Sequence, residues 1–143
     1  MRITRTKLYQ EICKLMALRG TCERNQVGCV VVREGRIIAT GYNSSPTGTS
    51  HCSDVGCLID SDTGGCVRTI HAEAGAISFA AKHGIALDGS TLYVTLSPCL
   101  DCAKLILNAG IEKVFFGTGY RKVEGVNFLR GAGVEVEEWG VSE

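Results

Sequence analysis

From residue 71 onward the chain alternates between segments of helical and strand character, and this alternation constrains its fold more than any other feature. Helices are predicted over 71–83, 99–108 and 123–130, and strands over 91–96, 113–117 and 134–136. Strands separated by helices require crossover connections, which produce a largely parallel sheet covered by helices. With 143 residues the chain has the length of one α/β domain, residues 1–143.

The N-terminal part adds a helix and a hairpin. Residues 4–19 have a helical period with Leu8, Ile12, Leu15 and Met16 on one apolar face, and Gly20 follows as a helix end. Two strand-like segments, 27–32 and 36–42, flank the turn signal Glu34-Gly35. Such closely spaced strands predict an antiparallel hairpin.

Composition narrows the classes of function. The formal net charge is zero, so a broad positive surface for DNA or RNA is not expected. No apolar run reaches the length of a membrane span, and Glu11, Lys14 and Arg19 interrupt the N-terminal apolar residues, unlike a secretory signal. We therefore expect a cytoplasmic protein (in the host cytoplasm if viral) without a membrane or nucleic-acid polymer as partner. In that compartment eight cysteines indicate metal binding or catalysis rather than disulfides.

Two short segments carry chemistry, His71-Ala72-Glu73 and Ser97-Pro98-Cys99-Leu100-Asp101-Cys102. The spacing places both cysteine sulfurs on one face of a helix start, where the positive helix end favours thiolates; Pro98 suits the first helical turn. With His71 as a third ligand, a tetrahedral zinc keeps its fourth position for water, as catalytic sites do. Residues two apart point to opposite sides of a regular helix, so His71 must cap its helix to share a site with Glu73.

These segments match the H-x-E…P-C-x-x-C signature of zinc deaminases. The predicted reaction is hydrolytic: a water activated by zinc attacks C4 of cytosine, and Glu73 carries a proton to N3 and then to the departing amino group. The alternative is a closed structural site of His71, Cys66, Cys99 and Cys102, which would leave Glu73 without a role.

The segment 44–70 has no clear period, and a loop of this length is usually functional or separately clamped. We predict a second, structural Zn²⁺ that orders this loop and is held by Cys22, Cys52, Cys57 and Cys66. His51 could substitute for one of these ligands, and free surface thiols are the remaining alternative. Cys13 and Cys29 are interpreted as core residues.

The sequence resembles the deoxycytidylate deaminase family over nearly its whole length. The resemblance rests on Gln26-Val27-Gly28, Gly41-Tyr42-Asn43 with Ser45-Pro46, His71-Ala72-Glu73, residues 91–103 and Asn108-Ala109-Gly110-Ile111. It implies a three-layer α/β/α cytidine-deaminase-like sandwich with a five-stranded mixed sheet. It also implies a hydrolase that converts dCMP to dUMP and ammonia and so supplies dUMP for thymidylate synthesis. The Cys/His-rich loop is similar to that of members with an added structural zinc.

The resemblance further implies regulation. Family members are typically homo-hexamers, and many are activated by dCTP and inhibited by dTTP, with Mg²⁺ accompanying the triphosphate. Gly41, Tyr42 and Asn43 are then allosteric-site candidates, and Asn43 and Tyr120 are substrate-site candidates. The chain departs from the family at Gly75, where Asn is usual.

A phosphate on the substrate requires a cation. The residues that could reach an anion are Arg24, Arg68, Lys82, Arg121 and Lys122, and we place Arg24 in the candidate substrate site. Ser97 is a further substrate-site candidate and is expected to shape the backbone near the zinc. The alternatives are deamination of dCTP, deoxycytidine or tRNA adenosine, of which zero net charge disfavours tRNA, and a non-catalytic, zinc-stapled nucleotide-binding module.

Overall fold

The computed structural model describes residues 1–119 and 123–139. The helices are α1 (Arg5–Ala17), α2 (Cys52–Val55), α3 (Ala72–His83), α4 (Leu100–Asn108) and α5 (Glu124–Gly131), and the strands are β1 (Gly28–Arg33), β2 (Arg36–Tyr42), β3 (Thr91–Leu96), β4 (Lys113–Thr118) and β5 (Glu135–Glu138). Strands β2 and β3 coincide with the predicted ones, and the other boundaries differ by about one or two residues, the usual uncertainty of element ends. Within the described ranges, no helix combines the length and apolar character that crossing a membrane requires.

A five-stranded mixed sheet with the strand order β2-β1-β3-β4-β5 forms the centre of the fold. Strand β1 pairs antiparallel with β2 and β3, whereas β3, β4 and β5 run parallel. The β1–β2 turn has positive φ at both Glu34 (53°) and Gly35 (74°), which matches the twist of a tight hairpin. The predicted α/β fold and the hairpin are therefore confirmed.

Helices cover both faces of the sheet because successive strand residues point to opposite sides. On one face, strand residues such as Val31 and Leu92 share the larger core with side chains of α3, α4 and α5. On the other face, Val30 and Tyr93 pack against Tyr9 of α1. Three layers result, and the N-terminal ends of α3 and α4 come together beyond the end of β3, where residues 97–99 lead into α4.

Helix α1 does not present the predicted face to the sheet. Leu8 and Leu15 are 40% and 65% exposed, so their assignment to the apolar face was wrong. Ile12 and Met16 do pack, but only at the edge of the smaller core. The predicted stripe therefore lies mostly outside the contact between helix and sheet.

Small side chains and one tyrosine make the true contact of α1. Tyr9, Cys13 and Ala17, spaced four residues apart, are buried. A Cβ built on Gly28 of β1 would lie 2.2 Å from the carbonyl oxygen of Cys13 and 2.4 Å from the backbone nitrogen of Ala17. The backbones approach too closely for leucine at these positions, which explains the correction.

Candidate active site and metal centres

His71, Cys99 and Cys102 converge where α3 and α4 begin. The Nδ1 atom of His71 lies 3.4 Å from the Sγ atom of Cys99 and 3.4 Å from that of Cys102. Ordinary zinc bond lengths in a tetrahedron separate nitrogen and sulfur donors by about 3.6 Å. Chemistry and spacing of the donors therefore both fit zinc.

Helix capping explains how these side chains meet. His71 is the N-cap of α3, with extended backbone angles of φ −71° and ψ 155°, as its shared site with Glu73 requires. Cys99 is the N-cap of α4, and its Sγ accepts a hydrogen bond from the Cys102 N–H at 3.5 Å. Because Cys99 occupies the cap, Pro98 precedes it, and the prediction that Pro98 lies in the first helical turn was wrong.

The electrostatics favour one thiolate in this pair even without metal. Hydrogen bonding from the Cys102 thiol, and then from His71, lowers the pKa of Cys99 to about 4. The adjacent Cys99 sulfur and burial raise the pKa of Cys102. Zinc binding would displace the remaining proton, since thiolates are the metal-binding form.

Glu73 lies in the first turn of α3 and is only 4% exposed. Burial raises the pKa of its carboxyl to about 7, so it can both accept and release a proton near neutral pH. Its oxygens lie outside the compact group of His71, Cys99 and Cys102 donors. The carboxylate is therefore available for proton transfer rather than ligation.

A cleft of about 430 Å³, here called the inner cleft, opens onto these groups. Its lining comprises Asn25, Val27, Asn43, His71, Ala72, Glu73, Leu96, Ser97 and Cys99. Among the described residues that line it, Glu73 is the sole carboxylate. A substrate in the inner cleft would thus meet one acid–base group beside one metal-binding set.

Asn43, predicted as a substrate residue, lies in the inner cleft and also holds its wall. It is 4% exposed, its Oδ1 accepts a hydrogen bond from the Val27 N–H at 2.8 Å, and its Nδ2 donates to the Asn25 carbonyl. An amide offers two donors and two acceptor lone pairs, so capacity remains for a ligand.

Ser97 also lies in the lining of the inner cleft and is 5% exposed. Its backbone N–H donates to the Thr118 carbonyl at 2.9 Å, which joins the ends of β3 and β4 just before Pro98. This contact fixes the backbone that leads into Cys99.

Arg24 lies at a second opening of about 730 Å³, here called the outer groove. The lining comprises Cys22, Arg24, Asn25, Asn43, Gly65, Cys66, Thr69 and His71. Asn25, Asn43 and His71 line both spaces, so the outer groove adjoins the inner cleft. The Arg24 guanidinium donates to the Gly64 carbonyl at 3.3 Å and is exposed, which leaves further N–H groups for an anion.

The sulfurs of Cys22, Cys52, Cys57 and Cys66 form a second group, all within 4.8 Å of one another. The Cys22–Cys57 and Cys52–Cys66 sulfur pairs are each 3.6 Å apart, against about 3.8 Å expected around tetrahedral zinc. The donor set fits a closed zinc site. Cys66 belongs to this group. The alternative of a closed structural site in which Cys66 joins His71 is therefore not formed in the structure.

Hydrogen bonds support a thiolate in this second group. The Arg68 backbone N–H, above all, lowers the pKa of Cys66 to about 6. His51 is not one of the grouped donors: it caps α2, and its buried Nδ1 has no hydrogen-bond partner among the described residues. The geometry therefore favours Cys52 over His51 as the ligand.

The Gly41-Tyr42-Asn43 segment is divided between two spaces. Gly41 and Tyr42 line a separate groove of about 990 Å³ together with Gly75, Lys82 and His83, here called the lateral groove. Asn43 faces the inner cleft instead. A Cβ at Gly75 would lie 3.8 Å from its nearest neighbours, so a larger side chain at this position would fit beside the lateral groove.

Sequence reasoning missed several lining residues. Asn25 and Thr69 carry no spacing signal, and only the fold brings them to the outer groove. Leu96 could have been found, because residues at the carboxyl ends of strands commonly line sites in α/β sheets. Tyr120, a predicted substrate residue, lies outside the described residues, as do Arg121 and Lys122.

Comparisons with known proteins agree with this chemistry. Residues 3–118 match the family described as the cytidine and deoxycytidylate deaminase zinc-binding region. ComE operon protein 2 of Bacillus subtilis is 43% identical, over 99% of this chain and 75% of that protein. Deoxycytidylate deaminase of Enterobacteria phage T4 is 35% identical, over 88% of this chain and 85% of that one. The crystal structure of dCMP deaminase from cyanophage S-TIM5 in complex with dCMP and dUMP has a TM-score of 0.85 and 35% identity, and the match covers 96% and 98% of the two chains.

Proposed function

The chain belongs to the cytidine and deoxycytidylate deaminase family, and on this premise we propose that it hydrolyses dCMP to dUMP and ammonia. The observation that carries the proposal is the buried Glu73 carboxylate in the inner cleft, which His71 and Cys99 of the donor group also line. The similarity to a deaminase crystallised with dCMP and dUMP supports the choice of substrate. Formation of dUMP for thymidylate synthesis, in the cytoplasm, is the corresponding role.

The mechanism assigns proton transfer to Glu73. Zinc held by His71, Cys99 and Cys102 would supply Lewis acidity that lowers the pKa of water. Glu73 accepts a proton from the water that attacks C4, and it delivers a proton to N3. It then takes the second proton from the hydroxyl now on C4 and gives it to the exocyclic amino group. The C4–N bond breaks with its electron pair on nitrogen, ammonia leaves, and the C4 oxygen becomes a carbonyl. Overall, one water is consumed and C4 gains the oxygen of uracil.

The two adjoining spaces suit the two ends of a nucleotide. The inner cleft would hold the base, with the Asn43 amide and Ser97 in its lining. The outer groove would hold the 5′-phosphate, because the Arg24 guanidinium at its edge can donate charge-assisted hydrogen bonds. Deoxycytidine lacks the phosphate that Arg24 would contact, which favours the nucleotide over the nucleoside.

We propose that Cys22, Cys52, Cys57 and Cys66 bind a structural zinc. The loop they enclose has few buried apolar side chains of its own: Val55, Leu58, Ile59 and Val67 are all about half exposed, at 49% to 57%. Metal binding would supply the ordering free energy that this apolar burial does not. Since Cys22 and Cys66 also line the outer groove, the same metal would keep that wall in place.

Regulation is proposed on the resemblance together with one feature of the surface. The lateral groove is separate from the inner cleft and carries Lys82, a cation suited to a triphosphate, with His83 beside it. We propose that dCTP, with Mg²⁺, activates and dTTP inhibits through the Gly41-Tyr42 part of this groove, in a homo-hexamer. The test is dCMP turnover with and without dCTP·Mg²⁺, combined with the solution mass of the protein.

The substrate is tested by product formation from dCMP, dCTP, deoxycytidine and an RNA stem-loop assayed side by side. We expect turnover of dCMP with the highest kcat/KM. Turnover of the RNA alone would overturn the substrate assignment. Nucleotide binding without turnover of any of them, by the zinc-loaded protein, would favour the non-catalytic module.

A further inference from the structure

Gly41 of β2 lies against the first turn of α3. A Cβ built on Gly41 would lie 2.1 Å from the carbonyl oxygen of Ala72 and 2.9 Å from the backbone nitrogen of Ala76. Both atoms belong to the backbone of the helix, so no side-chain rotation would relieve the overlap. Ala72 lies between His71 and Glu73 in the chain. The helical turn that carries His71 and Glu73 therefore packs directly against the backbone of Gly41.

Gly125 of α5 makes the same kind of contact with the other donor-bearing turn. A Cβ built on Gly125 would lie 2.2 Å from the carbonyl oxygen of Pro98 and 2.8 Å from both the carbonyl carbon and the oxygen of Cys99. Cys99 supplies one zinc donor and is the N-cap of α4. The turn that carries Cys99 therefore packs against a glycine backbone as closely as the turn that carries His71 and Glu73.

A buried thiol fixes the first turn from another strand. Cys29 of β1 is fully buried, and its Sγ–H donates a hydrogen bond to the carbonyl oxygen of Ala72 at 3.3 Å. The same oxygen is the atom that a Cβ at Gly41 would strike. Contacts from both β1 and β2 therefore fix the position of the Ala72 carbonyl oxygen, which lies in the turn that carries His71 and Glu73.

We propose that Gly41 and Gly125 are positioning residues that set the placement of the two donor-bearing turns relative to each other. The catalytic consequence rests on the proposed function, whereas the effect on metal binding does not. His71 and Glu73 lie on the turn that packs against Gly41, and Cys99 lies on the turn that packs against Gly125. Zinc donors must meet within about 0.2 Å of their ideal distances, so a shift of either turn changes the metal site.

The size of the expected effect follows from the overlaps. Moving the α3 turn from 2.1 Å to an ordinary contact at 3.4 Å requires a displacement of 1.3 Å. Misplacement of reacting groups by about 1 Å can cost on the order of 10²-fold in rate. We therefore expect Gly41→Ala to lower kcat by about 100-fold and to weaken binding of the catalytic zinc by about 10- to 100-fold. KM for dCMP should change little, because Asn43 keeps its hydrogen bonds to residues 25–27.

Two controls separate positioning from general destabilisation. Gly131→Ala lies in the same helix as Gly125, and its added Cβ would meet nothing within 4 Å. Gly28→Ala would strike the Cys13 carbonyl oxygen at 2.2 Å, an overlap as severe as that at Gly41, but against α1. The readouts are melting temperature, zinc affinity by chelator competition, and kcat and KM of the zinc-saturated protein. A His71→Ala variant identifies which step of zinc release belongs to this site.

We expect weakened catalytic-zinc binding and reduced kcat in Gly41→Ala and Gly125→Ala, wild-type behaviour in Gly131→Ala, and a lower melting temperature with retained zinc affinity in Gly28→Ala. Equal losses of zinc affinity in Gly28→Ala, or wild-type zinc affinity in Gly125→Ala, would overturn the proposal. If Gly41→Ala does not fold, the comparison of zinc affinity between Gly125→Ala and Gly131→Ala tests the proposal. If the wild-type protein does not deaminate dCMP, the proposed function is refuted. Weakened zinc binding in Gly41→Ala and Gly125→Ala would still support the positioning role in that case.

Discussion

Replacement of Glu73 by glutamine is the sharpest single perturbation of the proposed site. The side chain is 4% exposed, and glutamine keeps its size, so no cavity forms. Glu73 lies outside the group of zinc donors, so the variant should fold and retain its metal. Glutamine cannot accept and release the proton, and the effect should appear in kcat.

The magnitude follows from the lining of the inner cleft. A general acid–base group contributes about 10²- to 10⁴-fold. No other carboxylate lines the cleft among the described residues, and Asp101, in the first turn of α4, is exposed and outside it. Without a substitute, the loss should reach the upper range of about 10³- to 10⁴-fold, or about 4–5.5 kcal/mol of transition-state stabilisation.

The assay is initial-rate formation of dUMP from dCMP, with zinc content and melting temperature measured on the same preparations. Glu124→Gln is the matched control, because Glu124 is likewise acidic and in a first helical turn but is exposed on α5. It should retain wild-type kcat. Activity of Glu73→Gln within tenfold of the wild type, or a loss of activity that tracks loss of zinc, would refute the proton-transfer role.

Two further perturbations test the second metal and the phosphate contact. Cys66→Ser should reduce the zinc content from two ions to one per chain and open the loop around α2 to limited proteolysis; two zinc ions and unchanged cleavage would contradict the structural site. Arg24→Ala should raise KM for dCMP by about 10- to 100-fold, the scale of a lost charge-assisted hydrogen bond of about 1.5–3 kcal/mol, and leave the kinetics with deoxycytidine unchanged. Equal effects on both substrates would remove Arg24 from phosphate recognition.

Periodicity and short motifs predicted most of the fold and the cap position of the candidate ligand His71. The requirement that His71 and Glu73 share a site placed His71 at the helix cap, and the structure confirms that position. Cys29 was interpreted as a core residue and is fully buried. These features depend on residues near one another in sequence or on simple strand alternation, which is why the sequence alone sufficed.

Features that depend on close backbone contact could not be predicted in the same way. Hydrophobicity favoured Leu8 and Leu15 for the inner face of α1, but the approach of the helix to Gly28 selects the small side chains of Cys13 and Ala17. The close backbone contacts of Gly41 and Gly125 likewise depend on distances between elements far apart in the chain.

The outer groove is a third feature of this kind. Arg24 lines it together with Gly65 and Cys66 because the loop folds back far enough for the Arg24 guanidinium to donate to the Gly64 carbonyl. Nothing in the local sequence around Arg24 distinguishes it from other surface arginines, so its placement beside the inner cleft had to come from the structure.

The most direct test of the account is ammonia release from dCMP by metal-free protein before and after addition of Zn²⁺. The account predicts no turnover without metal, and turnover with equal amounts of dUMP and ammonia once the His71, Cys99 and Cys102 site is filled. Zinc bound at that site with no ammonia released from dCMP would contradict the central claim.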